Sequence, residues 1–204
     1  MSILLVRHGE TPANAARVVQ LPDAPLSPRG VAQAERLAER LARLGVAVIV
    51  ASDYARALGT AERVHAATGA TLELWPELRE RNFGELRGRA YAEIDVDIFG
   101  PDYAPPGGET WPEFHSRVAR AWERVSARAA LAAGNLAVIS HGLVCRSVVE
   151  RLVPREAGVA VPEHWANTSL SIFEARPPHE IALLNCSAHL AALETPDGAV
   201  SAPV

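Results

Sequence analysis

The chain of 204 residues contains no lysine, and all 20 of its basic residues are arginine. Together with the heavy use of alanine, this reads as a genome-wide compositional preference, so arginine richness is by itself weak evidence for phosphate binding. Cysteine is scarce as well. Cys145 and Cys186 lie in apolar stretches without the spacing of metal ligands, and they fit small buried hydrophobes in a reducing cytoplasm rather than a disulfide framework. Long apolar runs are missing, so no segment is long enough to span a bilayer. The short run at the N-terminus leads directly into Arg7-His8-Gly9, which is not how a signal peptide continues. Positive charge is not in excess either; a net charge of −4 argues against nucleic acid or an anionic membrane as partner. These absences leave a single cytoplasmic domain over residues 1–204, with a small molecule as its natural ligand and a homodimer compatible with the sequence. Its 49% apolar content can bury one core without help from metal or disulfide.

What is present is a rhythm of strands and helices. Residues 3–6 (Ile-Leu-Leu-Val) have the composition of a strand buried on both faces. Ser27-Pro28 then places a capping hydroxyl before a proline, and Val31, Ala34, Leu37, Ala38 and Leu41 recur at helical spacing up to Gly45. A β-branched run over residues 46–50 and a helix over residues 54–68, stopped by Gly69, repeat the unit. The alternation predicts an α/β fold: a three-layer α/β/α sandwich with a mostly parallel sheet and helices on both faces.

After a strand at 71–75, closed by Pro76, the pattern breaks down. Residues 77–109 read as a loop-rich insertion over the active site, with a short helix near 91–98 and a turn at Pro105-Pro106-Gly107-Gly108. Thr110 and Glu113 then form a capping box, and Trp111, Phe114, Val118, Trp122 and Val125 make the apolar stripe of a long helix. A strand at 136–140, a helix at 143–153 and two more strands at 168–174 and 180–186 complete the chain, with residues 199–204 expected to fray.

Chemistry concentrates at two strand ends. Ligands of open α/β sheets bind just outside the carboxyl ends of strands. One histidine there is ordinarily a hydrogen-bonded structural residue, but this chain has two, His8-Gly9 after the first strand and His141-Gly142 after the 136–140 strand. His65, His115, His164 and His179 fit no such pattern and are expected to face solvent, and His189 is expected behind the site at most.

With Ser52-Asp53-Tyr54-Ala55-Arg56-Ala57 added, the arrangement resembles the histidine phosphatase superfamily, also called phosphoglycerate mutase-like, over essentially the whole chain. Arg7-His8-Gly9-Glu10-Thr11 with Asn14 is similar to the family's nucleophile motif. Pro25-Leu26-Ser27-Pro28-Arg29-Gly30 with Gln33-Ala34 is similar to the start of its first helix. Leu78-Arg79-Glu80-Arg81-Asn82-Phe83-Gly84 resembles the segment bearing its acid, and Gly107-Gly108-Glu109-Thr110 and Ser140-His141-Gly142 complete the ordered set. Two departures touch the rim of the pocket: Gln20 is followed by Leu21-Pro22 where members often have Gln-Gly, and His141 by Gly142-Leu143 where many have Gly-Gly.

The resemblance implies that His8 is a nucleophile that becomes phosphorylated, and that Arg7, Arg56 and His141 hold the phosphoryl oxygens. Asn14, Gln20 and Gly142 would be further substrate-binding groups, and Glu80 the proton donor, with no metal or cofactor. The chemistry is coherent. Two guanidinium forks and an imidazole can cancel the charge on the equatorial oxygens. Neighbouring arginines favour the neutral imidazole that attack requires, and a carboxyl beside a phosphate holds its proton.

The reaction so implied is phosphomonoester hydrolysis of a small phosphorylated metabolite. A phosphoglycerate mutase would share the phosphohistidine but is generally longer, with an added basic segment in the excursion; a noncatalytic binding module would not need the intact set. His8-x-Glu10 lacks the two-histidine helical spacing of zinc hydrolases. Arg79, Arg81, Arg87 and Arg89 form a basic cluster beside Glu80 that reads equally as a second anion site or as a solvated loop.

Overall fold

In the computed structural model, which describes residues 1–156, 158–191 and 193, six strands form one sheet. They are β1 (Ser2–Arg7), β2 (Val46–Ala51), β3 (Thr71–Leu74), β4 (Asn135–Ser140), β5 (Leu170–Glu174) and β6 (Ile181–Cys186), in the order β3-β2-β4-β1-β5-β6. The four strands from β3 to β1 are parallel, whereas β5 runs antiparallel to β1 and β6 antiparallel to β5. The expected frayed tail at 199–204 lies outside the described residues.

Side-chain alternation along the parallel strands divides the core in two. Ile3, Leu5, Val48, Val50, Leu136 and Val138 point to one face, and pack with residues of α4 (Trp111–Ala130) and α5 (Gly142–Arg151). Leu4, Val6, Ile49, Ala51, Ala137 and Ile139 point to the other, against α2 (Pro28–Ala42) and α3 (Ala55–Thr68). Helices on both faces of a mostly parallel sheet are thus required by strands that are apolar on both sides.

The helix signals act as read. Ser27 Oγ accepts from the Gly30 amide at the start of α2, a cap contributing about 1 kcal/mol, and Thr110 and Glu113 form the reciprocal box of α4. Gly69 closes α3 in the left-handed conformation, φ 67°. Gly30 has a different reason to be glycine: a Cβ there would stand 1.9 Å from the Glu10 carbonyl oxygen. The backbone after β1 is therefore pressed directly onto the first turn of α2.

The segment between β3 and α4 departs from the sequence reading. Its helix near 91–98 shrinks to one 3₁₀ turn, Tyr91–Glu93, and 3₁₀ turns at Pro76–Leu78 and Gly84–Leu86 are added. The Asp97 carboxylate accepts from the Phe99 amide and the Ile98 carbonyl accepts from Arg81, so side chains take the backbone groups a helix would need. The order of this excursion comes from two arginines. Buried Arg81 donates to the carbonyls of Glu109, Ile98 and Tyr103 at 3.1, 3.1 and 2.6 Å and stacks 3.9 Å from the Trp111 ring centre. Arg117, from α4, forks onto the Glu109 carboxylate and donates to the carbonyls of Glu77, Arg79 and Glu80.

Two further expectations are corrected. His179 is buried against the Trp122 ring, 5.5 Å between centres, and His115 is half-buried, bonded to Ser147 and stacked on Trp111. Both pack against tryptophan rings, which a single imidazole does not announce in sequence. Cys145 is buried as expected, but Cys186 is only half-buried and accepts from Arg40.

Candidate active site

The ends of β1 and β4 lie side by side, Arg7 paired with Ser140, so the chain delivers His8 and His141 to adjacent positions. Both are buried, their ring centres 5.2 Å apart and edge to face. The His8 amide donates to the Ser140 carbonyl at 2.9 Å. Its Nδ1 faces the Gly9 carbonyl at 2.7 Å, and because a carbonyl only accepts, Nδ1 carries the proton. Nε2 is then the free lone pair, and it accepts from Arg56 Nε at 3.2 Å.

Arg56 enters from the first turn of α3. It donates to the Leu21 carbonyl at 3.0 Å, and its guanidinium lies 5.2 Å from the Tyr54 ring centre. Arg7 is buried at the end of β1 and donates to the Trp165 carbonyl. His141 is the N-cap residue of α5, with Nε2 at 2.8 Å from Ser52 Oγ and the Tyr54 ring edge against it. Glu80 closes the cavity from the excursion: one carboxylate oxygen accepts from the Arg81 amide at 2.9 Å, the other from the Leu143 amide at 3.1 Å, in the first turn of α5.

The electrostatics follow from this packing. Burial first, then the charges of Arg56 and Arg7, holds His8 well below 6.5 and keeps its imidazole neutral. His141 is held well below 6.5 by burial and by the charge of Arg56. Glu80 retains some exposed surface at the cavity wall, yet desolvation of its carboxyl raises it above 4.5 despite two amide hydrogen bonds and the nearby Arg56 and Arg7. Burial brings Arg56 down to about 10, still cationic at neutral pH. The cavity therefore pairs a neutral imidazole and two cations with a carboxyl whose pKa is raised by burial.

Arg7, His8, Gln20, Arg56, Glu80 and Gly142 all line this one cavity, together with Val19, Tyr54, Arg81, Phe83, Arg87 and Tyr91. His141 stands directly behind the wall against His8 and Tyr54. Asn14 is not brought into the wall; its side-chain oxygen accepts from the Thr11 amide and closes the capping box of α1 (Pro12–Ala15). Gln20 Oε1 accepts from the Thr11 hydroxyl at 2.8 Å.

The basic cluster is dispersed. Arg79 pairs with Asp53, Arg81 is consumed by carbonyls, and Arg89 donates to the Glu93 carbonyl. Only Arg81 and Arg87 of the four line the cavity, and Arg87 donates to the Tyr54 hydroxyl at 2.8 Å. The sequence reading gave no role to Tyr54, nor to the turn at Asn167-Thr168, which supports His8 from behind. The Asn167 side-chain amide donates to the His8 carbonyl at 3.0 Å, and the Thr168 amide to the carbonyls of Arg7 and His8 at 3.0 and 3.2 Å. A polar pair between apolar strands looks like any turn.

Two histidines at paired strand ends, two arginines and a carboxyl meet around one cavity of this α/β protein, with buried cationic side chains beside a neutral imidazole. The chain belongs to the histidine phosphatase superfamily (branch 1), whose signature matches residues 3–186. It is 34% identical over 190 residues to phosphoglycerate mutase-like protein 4 of Arabidopsis thaliana, covering 84% of this chain and 78% of that one. Among solved structures, YhfR of Bacillus stearothermophilus is 27% identical with a TM-score of 0.80, over 93% of this chain and 98% of its own. A mycobacterial glucosyl-3-phosphoglycerate phosphatase complexed with VO3 shares the fold, at TM-score 0.77 and 24% identity over 91% of this chain and 99% of its own.

Proposed function

We propose that this protein hydrolyses a small phosphorylated metabolite, without a metal, through a phosphohistidine on His8. The observation that supports the reading is the tautomer of His8: Nδ1–H is engaged by the Gly9 carbonyl, while the unprotonated Nε2 accepts from Arg56 in the cavity that also holds Glu80. In this mechanism Nε2 attacks phosphorus, and the equatorial oxygens are taken by Arg7, Arg56 and His141. The leaving oxygen departs with the Glu80 proton. Glu80, now a carboxylate, accepts a proton from the water that attacks the phosphohistidine; inorganic phosphate leaves and both groups are restored. Gln20 and Gly142 line the same cavity and contribute to holding the substrate. In a mutase the same intermediate would pass its phosphoryl group to a second hydroxyl, the outcome that the Arabidopsis relative's name suggests.

Brief exposure to a labelled phosphomonoester is expected to trap an acid-labile, base-stable phosphoryl group that His8→Ala abolishes. Normal turnover by His8→Ala overturns the nucleophile, and activity lost to chelator and restored by metal overturns metal independence. Transfer from 3-phosphoglycerate outpacing phosphate release, assayed in parallel, replaces hydrolysis by the mutase reaction.

A further inference from the structure

We infer that Thr168 and His189 are positioning residues for the nucleophile, forming with Arg40 a hydrogen-bonded relay that fixes the backbone of His8. The inference rests on the phosphohistidine reading above.

The direction of each bond follows from its donors. Arg40 of α2 can only donate, so His189 Nδ1, 3.2 Å from Arg40 Nη1, accepts. The proton of His189 is then on Nε2, which donates to Thr168 Oγ1 at 3.1 Å. Thr168 Oγ1 in turn donates to the Asn167 carbonyl at 2.7 Å. Burial and the Arg40 charge depress His189 to about 4, which keeps the imidazole in this neutral, directed form. From the turn itself, the Thr168 amide and the Asn167 side chain both donate to the His8 carbonyl.

Thr168 is the informative residue because its backbone does not suit it. Its φ is 56°, in the left-handed region that β-branched residues avoid and that glycine adopts freely. For folding alone, glycine is the expected occupant. What glycine cannot supply is the hydroxyl, the one group linking His189 to the Asn167 carbonyl. A strained residue kept where an unstrained one would fit marks a functional demand, and the group it bears sits two bonds of the relay away from the nucleophile's carbonyl. A small rotation there would swing Nε2 away from the line of attack while leaving Arg56, in α3, and His141, at the end of β4, in place to bind phosphate.

Thr168→Gly and His189→Leu, assayed with p-nitrophenyl phosphate, are each expected to lower kcat about tenfold with KM within about twofold. Thr168→Ser and His189→Gln, which restore a hydroxyl and a donor at the Nε2 position, should stay within about threefold of the native kcat. Thermal melting separates positioning from folding: in Thr168→Gly the relief of backbone strain offsets part of the lost hydroxyl bonds, and the protein should remain folded at the assay temperature. Native kcat in either Thr168→Gly or His189→Leu overturns the relay, as does an effect confined to KM. Thr168→Gly losing activity only in proportion to unfolding, with His189→Leu unimpaired, overturns it too. His8→Ala run alongside separates the two readings. If it is active, the phosphohistidine fails; if it is dead while Thr168→Gly and His189→Leu turn over normally, only the relay fails.

Discussion

The ends of β1 and β4 carry the same short signature, an apolar strand followed by His-Gly, yet the two histidines, edge to face with each other, differ in every hydrogen bond their rings make. His8 precedes an irregular stretch and is free to aim its ring by bonding Nδ1 to the next carbonyl. His141 precedes a helix, becomes its N-cap residue, and meets Ser52 through Nε2 instead. The following segment, rather than the strand, decides which nitrogen is left for chemistry. It also assigns Glu80 to the β4 side, since the amide of Leu143 that receives the carboxylate belongs to the helix His141 opens.

The comparison is broken most severely by exchanging the roles. His8→Ala is expected to reduce turnover by about 10⁴-fold or more and to remove the trapped phosphoryl group. His141→Ala should cost about 10²–10³-fold in kcat, the scale of losing one transition-state donor, while labelled His8 remains detectable. If the two variants behave alike, the distinction between nucleophile and oxygen ligand is wrong. Glu80→Gln should slow an alkyl phosphate by about 10²-fold but an activated phenyl phosphate by much less, because a phenolate departs without a proton. Equal losses on both substrates would remove Glu80 from the acid role.

A gentler probe reads the two imidazoles through stability. Both titrate well below 6.5 in the folded protein. Between those values and 6.5 the unfolded chain binds protons that the native one does not, so stability rises with pH there by up to about 1.4 kcal/mol per unit for each histidine. Glu80, raised above 4.5, opposes part of this by holding a proton in the native state only. Chemical denaturation of His141→Asn between about pH 5 and pH 6.5 should show a shallower rise than the native protein, and an unchanged slope would mean that His141 titrates normally. The smallest effect is expected at the rim. Asp53→Ala breaks an exposed pair with Arg79 and should cost about 1 kcal/mol or less, read as a small shift in the urea midpoint.

That Arg7, His8 and His141 come together was legible in the sequence because two strand runs each end in His-Gly, and the carboxyl ends of parallel strands share one end of the sheet. The helix starts at Ser27 and Thr110 were legible because capping is local. Asn14 was ambiguous in the sequence because a short polar side chain can serve either a ligand or a backbone, and here its oxygen accepts from the Thr11 amide in a capping box. The excursion misled because its order is not carried by periodicity. It depends on Arg81 and Arg117 collecting carbonyls from residues up to 40 positions away, which no window along the chain can register. The support behind His8 was hidden for the same reason, with Asn167 bonded to a residue 159 positions earlier.

In a sheet whose strands all run one way, only the segments that follow strands reach the ligand end. Because β5 is reversed beside β1, with Leu170 opposite Val6, the residues that precede β5 arrive at that end instead. His8 is thus held by two separate parts of the chain, one leaving the sheet and one entering it. The entering segment also holds Arg7, whose guanidinium donates to the Trp165 carbonyl and whose own carbonyl accepts from the Thr168 amide, so a change there moves His8 and Arg7 together and leaves Arg56 on its separate support in α3.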